Sequence, residues 1–288
     1  MEWVNTIVQG ILLGGLYAMF ATGLSLMFGI MRLVNIAHGD FIILASYLGL
    51  VVVTTLGFSP LASLLVVVPL MAVIGYLLQR YLLNKTLGHD ILPPLLVTFG
   101  LSIILQNVLL ELFSADSQKL KAGDIEVASI TLSEQLSVGV LPLLVFLSGV
   151  AVIGALQFLF YKTELGRAFR ATSDDQDTAR LMGVSNSHIF GLAMALAMAV
   201  VAIAGVFLAI RTNFDPTVGP ARLLYGFEAV IIGGLGSLWG TLAGGIILGV
   251  AQAIGAQINP GWQILAGHVV FLLILIFRPR GLFPRSVD

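Results

Sequence analysis

The chain has 288 residues, 58% of them hydrophobic and 10% charged, with a mean hydropathy of +1.02. A soluble domain carries roughly a quarter of its residues as Asp, Glu, Lys or Arg, so the composition excludes one and indicates a polytopic α-helical membrane protein. The net charge of -1 excludes an electrostatic nucleic-acid partner, and the absence of cysteine excludes disulfides, thiolate metal sites and a cysteine nucleophile.

The first uncharged run, residues 3–31, exceeds the roughly 20 apolar residues that a spanning helix needs. Its leading segment carries Glu2 rather than a basic residue, and the run is too long for a signal peptide, so it is expected to stay in the membrane. Residues 29–40 then interrupt the apolar pattern and place Asn35, His38 and Asp40 within six residues. Such groups are costly at a membrane boundary without a role. They are candidates for lining a translocation path, with a solvated loop as the alternative.

Residues 41–79 are long enough for two helices and break at Gly57-Phe58-Ser59-Pro60, where Pro60 suits the first position of the next helix. In residues 91–110, Ser102 and Gln106 share one helical face with Thr98 near it. That stripe either lines a path or hydrogen-bonds to a neighbouring helix. Residues 112–135 read as an external loop in which Asp116, Asp124, Glu126 and Glu134 face Lys119 and Lys121, and residues 135–161 cross again.

Residues 162–188 form a polar loop with strong local signals. Ser173 followed by Gln176 makes a capping box, and Asp174, Asp175 and Asp177 in the first turn complement the helix dipole. Gly183 suits a left-handed C-terminal cap, with Val184 folding back toward Ala179. The pattern predicts a helix of about nine residues, which is too short to be stable alone in water and must dock on something.

Residues 181–210 cross once more, to Arg211 and Arg222. Glu228 is the lone acid of the late apolar region. It is either a path residue or an interfacial partner of Arg222. Residues 229–277 break at Asn259-Pro260-Gly261, and the glycine-rich residues 232–241 match residues 29–40 when Gly39 is set opposite Gly240. This possible internal repeat suits the paired broken helices that transporters place beside a substrate path. Gly244, Gly245 and Gly249 are assigned to close helix packing. His89, His188 and His268 show no ligand spacing, so no metal site is expected.

Short loops rich in Lys and Arg stay cytoplasmic. Placing residues 162–180 and the tail from Arg278 to Arg285 inside puts ten of the 14 basic residues in the cytoplasm, with Lys119, Lys121, Arg211 and Arg222 outside. The N-terminus is then outside and the C-terminus inside. Parity gives about nine transmembrane segments, between eight and ten, in a helical bundle forming a single domain over residues 1–288.

Several of these segments together resemble the LivH-type branched-chain amino acid permeases of ATP-binding-cassette importers. The resemblance is carried by Gly23-Leu24-Ser25-Leu26-Met27-Phe28-Gly29 with Asn35-Ile36-Ala37-His38-Gly39-Asp40, and by Gly166-Arg167-Ala168-Phe169-Arg170-Ala171 with Ala179 and Leu181-Met182-Gly183-Val184. Gly233-Gly234-Leu235-Gly236-Ser237 and Pro279-Arg280-Gly281-Leu282-Phe283 complete it. The family often has Glu where this chain has Asp40. The resemblance implies a bacterial inner-membrane transport subunit, without cofactor or catalytic residues, for branched-chain or other hydrophobic amino acids. Residues 162–188 would be its coupling loop, with Arg167, Arg170, Asp177, Ala179, Met182, Gly183 and Val184 meeting an ATPase. It also implies separate ATPase subunits, a second and unlike permease, an external substrate-binding protein and a lipid environment. The chain contains no phosphate-binding glycine loop of its own. Asn35, His38, Asp40, Ser102, Gln106 and Glu228 are the candidate path residues. Relatives for urea, short amides or aromatic acids share the pattern. An ion-coupled secondary transporter should hold more paired intramembrane charges, and an intramembrane enzyme built on His38 and Asp40 lacks a nearby nucleophile.

Overall fold

The computed structural model describes residues 2–88, 90–133 and 136–283. His89, Glu134, Gln135 and Arg285 of the sequence reading lie outside the described residues. The elements in chain order are α1 (Glu2–Met31), α2 (His38–Leu56), α3 (Leu64–Tyr81), α4 (Leu92–Phe113), the short α5 (Asp124–Val127), β1 (Ser129–Ser133) and β2 (Leu136–Gly139). They continue as α6 (Val140–Lys162), α7 (Glu164–Asp174), α8 (Gln176–Leu181), α9 (Asn186–Arg211), α10 (Gly219–Gly233), α11 (Leu238–Ile258) and α12 (Gln263–Phe277). The two strands form an antiparallel hairpin in which Ile130 faces Val138.

Among the described residues, eight helices are long and apolar enough to cross a membrane: α1, α2, α3 with its following turn, α4, α6, α9, α11, and α12 with its leading turn. Three helices, α10, α11 and α12, fill the stretch from Gly219 to Phe277, but α10 has only 15 residues. At 1.5 Å per residue it extends about 22 Å, short of a hydrocarbon core about 30 Å thick. Where about nine crossings were expected, the described residues give eight helices of spanning length and the shorter α10. Gly57 ends α2 in the left-handed conformation (φ 69°). The next helix begins at Leu64 rather than Pro60, because residues 60–63 form a separate turn in which the Ser63 hydroxyl donates to the Pro60 carbonyl.

Helices α1 and α9 are buried along most of their length and form the centre. Their sequences are apolar on all sides, as a helix enclosed by others requires. Around them, α3, α4, α6 and α12 keep wide apolar faces exposed, among them Leu65, Val73, Leu96, Phe99, Phe158, Leu272 and Ile276. Lipid is the solvent that suits such faces. Between helices in lipid the hydrophobic effect is absent, and small residues that let backbones approach take its place. This is how α1 meets α11. A Cβ on Gly14 would lie 2.6 Å from the Gly245 carbonyl oxygen, and one on Gly249 would lie 2.6 Å from the Gly14 nitrogen. Gly244 packs in the same way against Ala229 and Gly233, so the three glycines serve the close packing expected of them.

The two ends of the bundle differ. At the hairpin end the Gln9 side chain donates to the Ser137 carbonyl (2.9 Å), tying the start of α1 to β2. At the other end α7 folds under the bundle. Gly166 lets it approach the last carbonyls of α6, Phe169 stacks on Phe160 with centroids 5.4 Å apart, and the Ser173 hydroxyl donates to the Gly29 carbonyl (2.6 Å).

Gly245→Val would set a Cβ 2.5 Å from the Gly14 carbonyl oxygen and 2.7 Å from the Ala18 nitrogen, an overpacking that costs about 1–3 kcal/mol. We expect its melting midpoint, followed by size-exclusion of the heated detergent-solubilised protein, to fall by several degrees. Gly154→Ala, with nothing within 4 Å of the new carbon, should leave the midpoint in place or raise it. Equal midpoints for Gly245→Val and the parent would show that this contact carries no stability.

Candidate functional site

The bundle centre is built around two places where a long buried helix stops and the chain turns back inward. After α1, Arg32 adopts a left-handed backbone (φ 53°) and residues 33–37 return alongside the helix they have just left. The His38 ring nitrogen Nε2 donates to the Phe20 carbonyl (2.8 Å). Phe20 is eleven residues before Met31, about 16 Å along α1, so α2 begins deep inside the bundle. An irregular segment at that depth must find its hydrogen bonds within the protein. Asn35 accepts from the Ala37 amide (3.0 Å), and the Thr98 hydroxyl on α4 accepts from the Ile36 amide (3.2 Å).

The second turn-back follows α9. Residues 212–218 pair with the segment between α4 and α5 through Phe214 and Gln118, whose amides donate to each other's carbonyls at 2.9 and 2.8 Å. Asp215 accepts from the Thr217 amide (2.9 Å), and Pro220 opens α10. Helix α10 therefore also starts inside the bundle, where a Cβ on Gly39 would overlap the Gly219 carbonyl. From this junction α2 runs toward the hairpin end and α10 toward the α7 end. The unit α1, 32–37, α2 is thus related to α9, 212–218, α10 by inversion. This corrects the expected alignment of residues 29–40 with residues 232–241. Residues 232–241 instead close α10 and open α11, meeting Gly29 through Gly236 (3.2 Å from the Cβ a side chain would add). The repeat is carried by a long buried helix followed by an extended return, and glycine spacing does not report that geometry.

Asp40 lies at the junction and is 1% exposed. Its carboxylate packs against Gly219 at the start of α10 while belonging to the first turn of α2, so it complements the partly positive N-termini of two helices. The Gln106 side-chain amide donates to Asp40 Oδ1 (3.0 Å) and to the Ser102 hydroxyl (3.1 Å). The structure therefore brings Asn35, His38, Asp40, Ser102 and Gln106 together, with Thr98 beside them. The polar stripe of α4 hydrogen-bonds to its neighbours, through Thr98 to the Ile36 amide and through Gln106 to Asp40. His38 Nδ1 and Asp40 Oδ2 are buried with no hydrogen-bond partner among the described residues. Sequence reasoning missed Gly219. Its signal was the turn composition of Asp215-Pro216 with Pro220 at the next helix start.

Glu228 stands apart from this group. It is buried on α10 and accepts a hydrogen bond from His268 Nδ1 on α12. It is not paired with Arg222, because nine residues into α10 its side chain points to the neighbouring helix. Where α10 stops, the tail supplies what the helix lacks. The Leu282 and Phe283 amides donate to the Ile232 and Gly233 carbonyls (2.9 and 3.0 Å), with Gly281 left-handed against Gly234. Two segments that seemed independent in the sequence are one hydrogen-bonded unit.

The polar loop contains two helices where one was expected. Residues up to Asp174 continue α7, and α8 is capped by Asp175 rather than Ser173. Asp175 accepts from the Asp177 amide (2.9 Å), the Thr178 amide (3.1 Å) and the Thr178 hydroxyl (2.6 Å). Ser173 cannot cap α8 because its hydroxyl is committed to Gly29. The C-terminal reading holds. Gly183 is left-handed (φ 86°), and the Val184 amide donates to the Ala179 carbonyl (3.1 Å). Ala179 is buried, whereas Leu181 and Met182 are 87% and 80% exposed. Arg170 turns inward, its guanidinium donating to the Phe160 carbonyl and lying 5.1 Å from the Tyr161 ring centre. Arg167 pairs with Glu164 at the surface (3.2 Å), and Asp177 is exposed.

The sequence model of the family described as branched-chain amino acid transport system / permease component matches residues 6–278. The chain belongs to this permease family. BraD of Pseudomonas aeruginosa, a high-affinity branched-chain amino acid transport system permease protein, is 29% identical over 99% of this chain and 96% of its own. LivH of Escherichia coli, of the same description, is 25% identical over the same shares. LivM of Escherichia coli, another permease protein of that system, is 29% identical over 42% of this chain and 29% of its own. The permease is a multi-pass membrane protein.

Hydrogen bonds from the Thr178 hydroxyl and the α8 amides hold the Asp175 carboxyl below the ordinary aspartate range. A folded value lowered in this way stabilises α8 fully above the unfolded value, and the effect fades as pH falls through the folded one. At neutral pH, amide exchange at Asp177 and Thr178 should therefore accelerate in Asp175→Ala and remain partly protected in Asp175→Asn. Unaltered exchange in the alanine variant would remove the cap from this account.

Proposed function

We propose that this permease is the transmembrane subunit of an ATP-driven importer for branched-chain or other hydrophobic amino acids. It acts in transport and not in catalysis, with ATP hydrolysed by separate ATPase subunits. A second, related permease chain completes the membrane part, and an external binding protein delivers the solute. The whole chain, residues 1–288, works as one membrane domain. The α7–α8 end faces the cytoplasm together with the C-terminus, and the hairpin and N-terminus face outside.

The observation that carries this reading is α8. Capped at both ends, it holds a pair of bare apolar side chains, Leu181 and Met182, away from the bundle, while α7 is bonded through Ser173 to Gly29 just before the first turn-back. An exposed apolar knob on a short helix is a shape for a protein cleft. In this reading Met182, Gly183 and Val184 form the contact with the ATPase and Asp177 flanks it. Ala179 seats α8 on the bundle, Arg170 fixes α7 on α6, and Arg167 stays at the surface of α7 to meet the ATPase. Motion at α8 then reaches the junction of α2 and α10, where Asn35, His38, Asp40, Ser102 and Gln106 line the path. The unsatisfied His38 Nδ1 and Asp40 Oδ2 offer hydrogen bonds to a passing solute. Glu228 with His268 braces the half-helix α10 beside the path.

Two substitutions test the two ends of this route in proteoliposomes supplied with binding protein and ATP. Gly183→Val meets open space, so its cost is the left-handed backbone alone, about 1–2 kcal/mol. It should insert and assemble yet lose at least tenfold in leucine uptake, and uptake equal to the parent would refute the coupling role. Asp40→Asn keeps the shape but removes the charge. Uptake should fall while the ATPase subunits still co-purify, and undiminished uptake would take Asp40 out of the path.

A further inference from the structure

A second polar cluster lies in the half of the bundle nearer the hairpin end, apart from the junction at Asp40. The Tyr17 hydroxyl on α1 donates to Gln252 Oε1 on α11 (2.6 Å). The Tyr17 ring meets that of Tyr225 on α10, with centroids 5.1 Å apart. Arg211 at the end of α9 and Arg222 in the first turn of α10 are both within electrostatic reach of the same hydroxyl. One cluster thus joins all four central elements, including both arms of the second turn-back.

Its donors and acceptors do not balance. Arg211 Nη1, Arg222 Nε and Gln252 Nε2 are sequestered with no hydrogen-bond partner, and among the described residues neither arginine has an ion pair. The acids nearest in sequence are Asp215, whose Oδ1 accepts from the Thr217 amide and hydroxyl, and Glu228, which is taken by His268. A guanidinium enclosed by protein without a counter-charge is among the more expensive features a membrane protein can carry. Here two half-buried arginines each have one guanidinium nitrogen enclosed, beside an enclosed amide donor on Gln252, which is 1% exposed. An anion with two acceptor oxygens would satisfy these donors, and a carboxylate matches the fork of a guanidinium.

We propose that Arg211, Arg222 and the Gln252 amide form the station that takes the carboxylate of the solute on its way inward, with Tyr17 and Tyr225 as the wall for its apolar part. This deepens the function proposed above and rests on it. The Tyr17 hydroxyl fixes the Gln252 side chain so that its oxygen is occupied and only its donor end is free. Arg211 and Arg222 bracket residues 212–218, so a bound carboxylate would also hold the second turn-back closed.

The test is saturation-transfer NMR on the purified assembly of this chain with its ATPase and permease partners, without binding protein, using leucine and leucinamide as probes. Leucine should receive saturation, leucinamide should receive at least fivefold less, and Arg211→Gln and Arg222→Gln should each weaken leucine binding at least tenfold. Arg222→Lys, which keeps the charge but loses the fork, should weaken it less. Equal signals from the two probes on the unmodified assembly would overturn the proposal without any variant, and so would glutamine variants that bind leucine as the parent does. The same assembly is also placed in proteoliposomes with binding protein and ATP: leucine uptake there without a leucine signal in the binding test refutes the station alone, and no uptake of leucine there refutes the importer reading.

Discussion

A backbone that leaves a helix inside a membrane finds no water to bond with, and every other feature of this bundle follows from how that constraint is met. Three places in the chain face it, and each is met differently. Residues 33–37 are held by Asn35 and by Thr98 of α4. Residues 212–218 borrow a short strand-like pairing from Gln118. The end of α10 receives the amides of Leu282 and Phe283 from the tail. None of these partners is next to its target in sequence, so the breaks can exist only once the bundle has assembled around them. That explains why α1 and α9, which lead into the two turn-backs, are also the most enclosed helices.

The same constraint fixes the junction. Two helices that start in the interior bring first-turn amides that lack intrahelical partners near one point. Asp40, placed on one start and packed on the other, answers part of that demand, and Gln106 and Ser102 hold it there. Gly39 and Gly219 are required because any side chain would separate the two starts. A carboxylate at this point is consequently structural and electrostatic at once.

A continuous set of contacts links the junction to the surface. From α8 the chain passes back through Asp175 to α7, and α7 is bonded to Gly29 two residues before α1 ends. Gly29 in turn touches Gly236 in the turn after α10. A displacement of α7 therefore acts on the exits of α1 and α10 together. At the opposite end, Arg211 and Arg222 flank the second turn-back and share the surroundings of Tyr17. The two turn-backs are thus contacted from opposite ends of the bundle.

The sequence by itself determined what depends on composition and on neighbours a few residues apart. Low charge and long apolar runs decided the class, Gly57 and Asn259-Pro260-Gly261 marked turns, and Gly183 with Val184 specified a left-handed cap. The spacing of Thr98, Ser102 and Gln106 put them on one face because helical periodicity is local. Only the tertiary structure decided what that face touches. It assigned the α8 cap to Asp175, since the competing Ser173 is claimed by a carbonyl 144 residues away in sequence. It gave Glu228 to His268 across two helices, and it paired the return after α1 with the return after α9 rather than with the similar-looking glycines of residues 232–241. In an apolar bundle almost any helix face is compatible with lipid. The few polar groups must choose partners at long range, and that choice is made by packing.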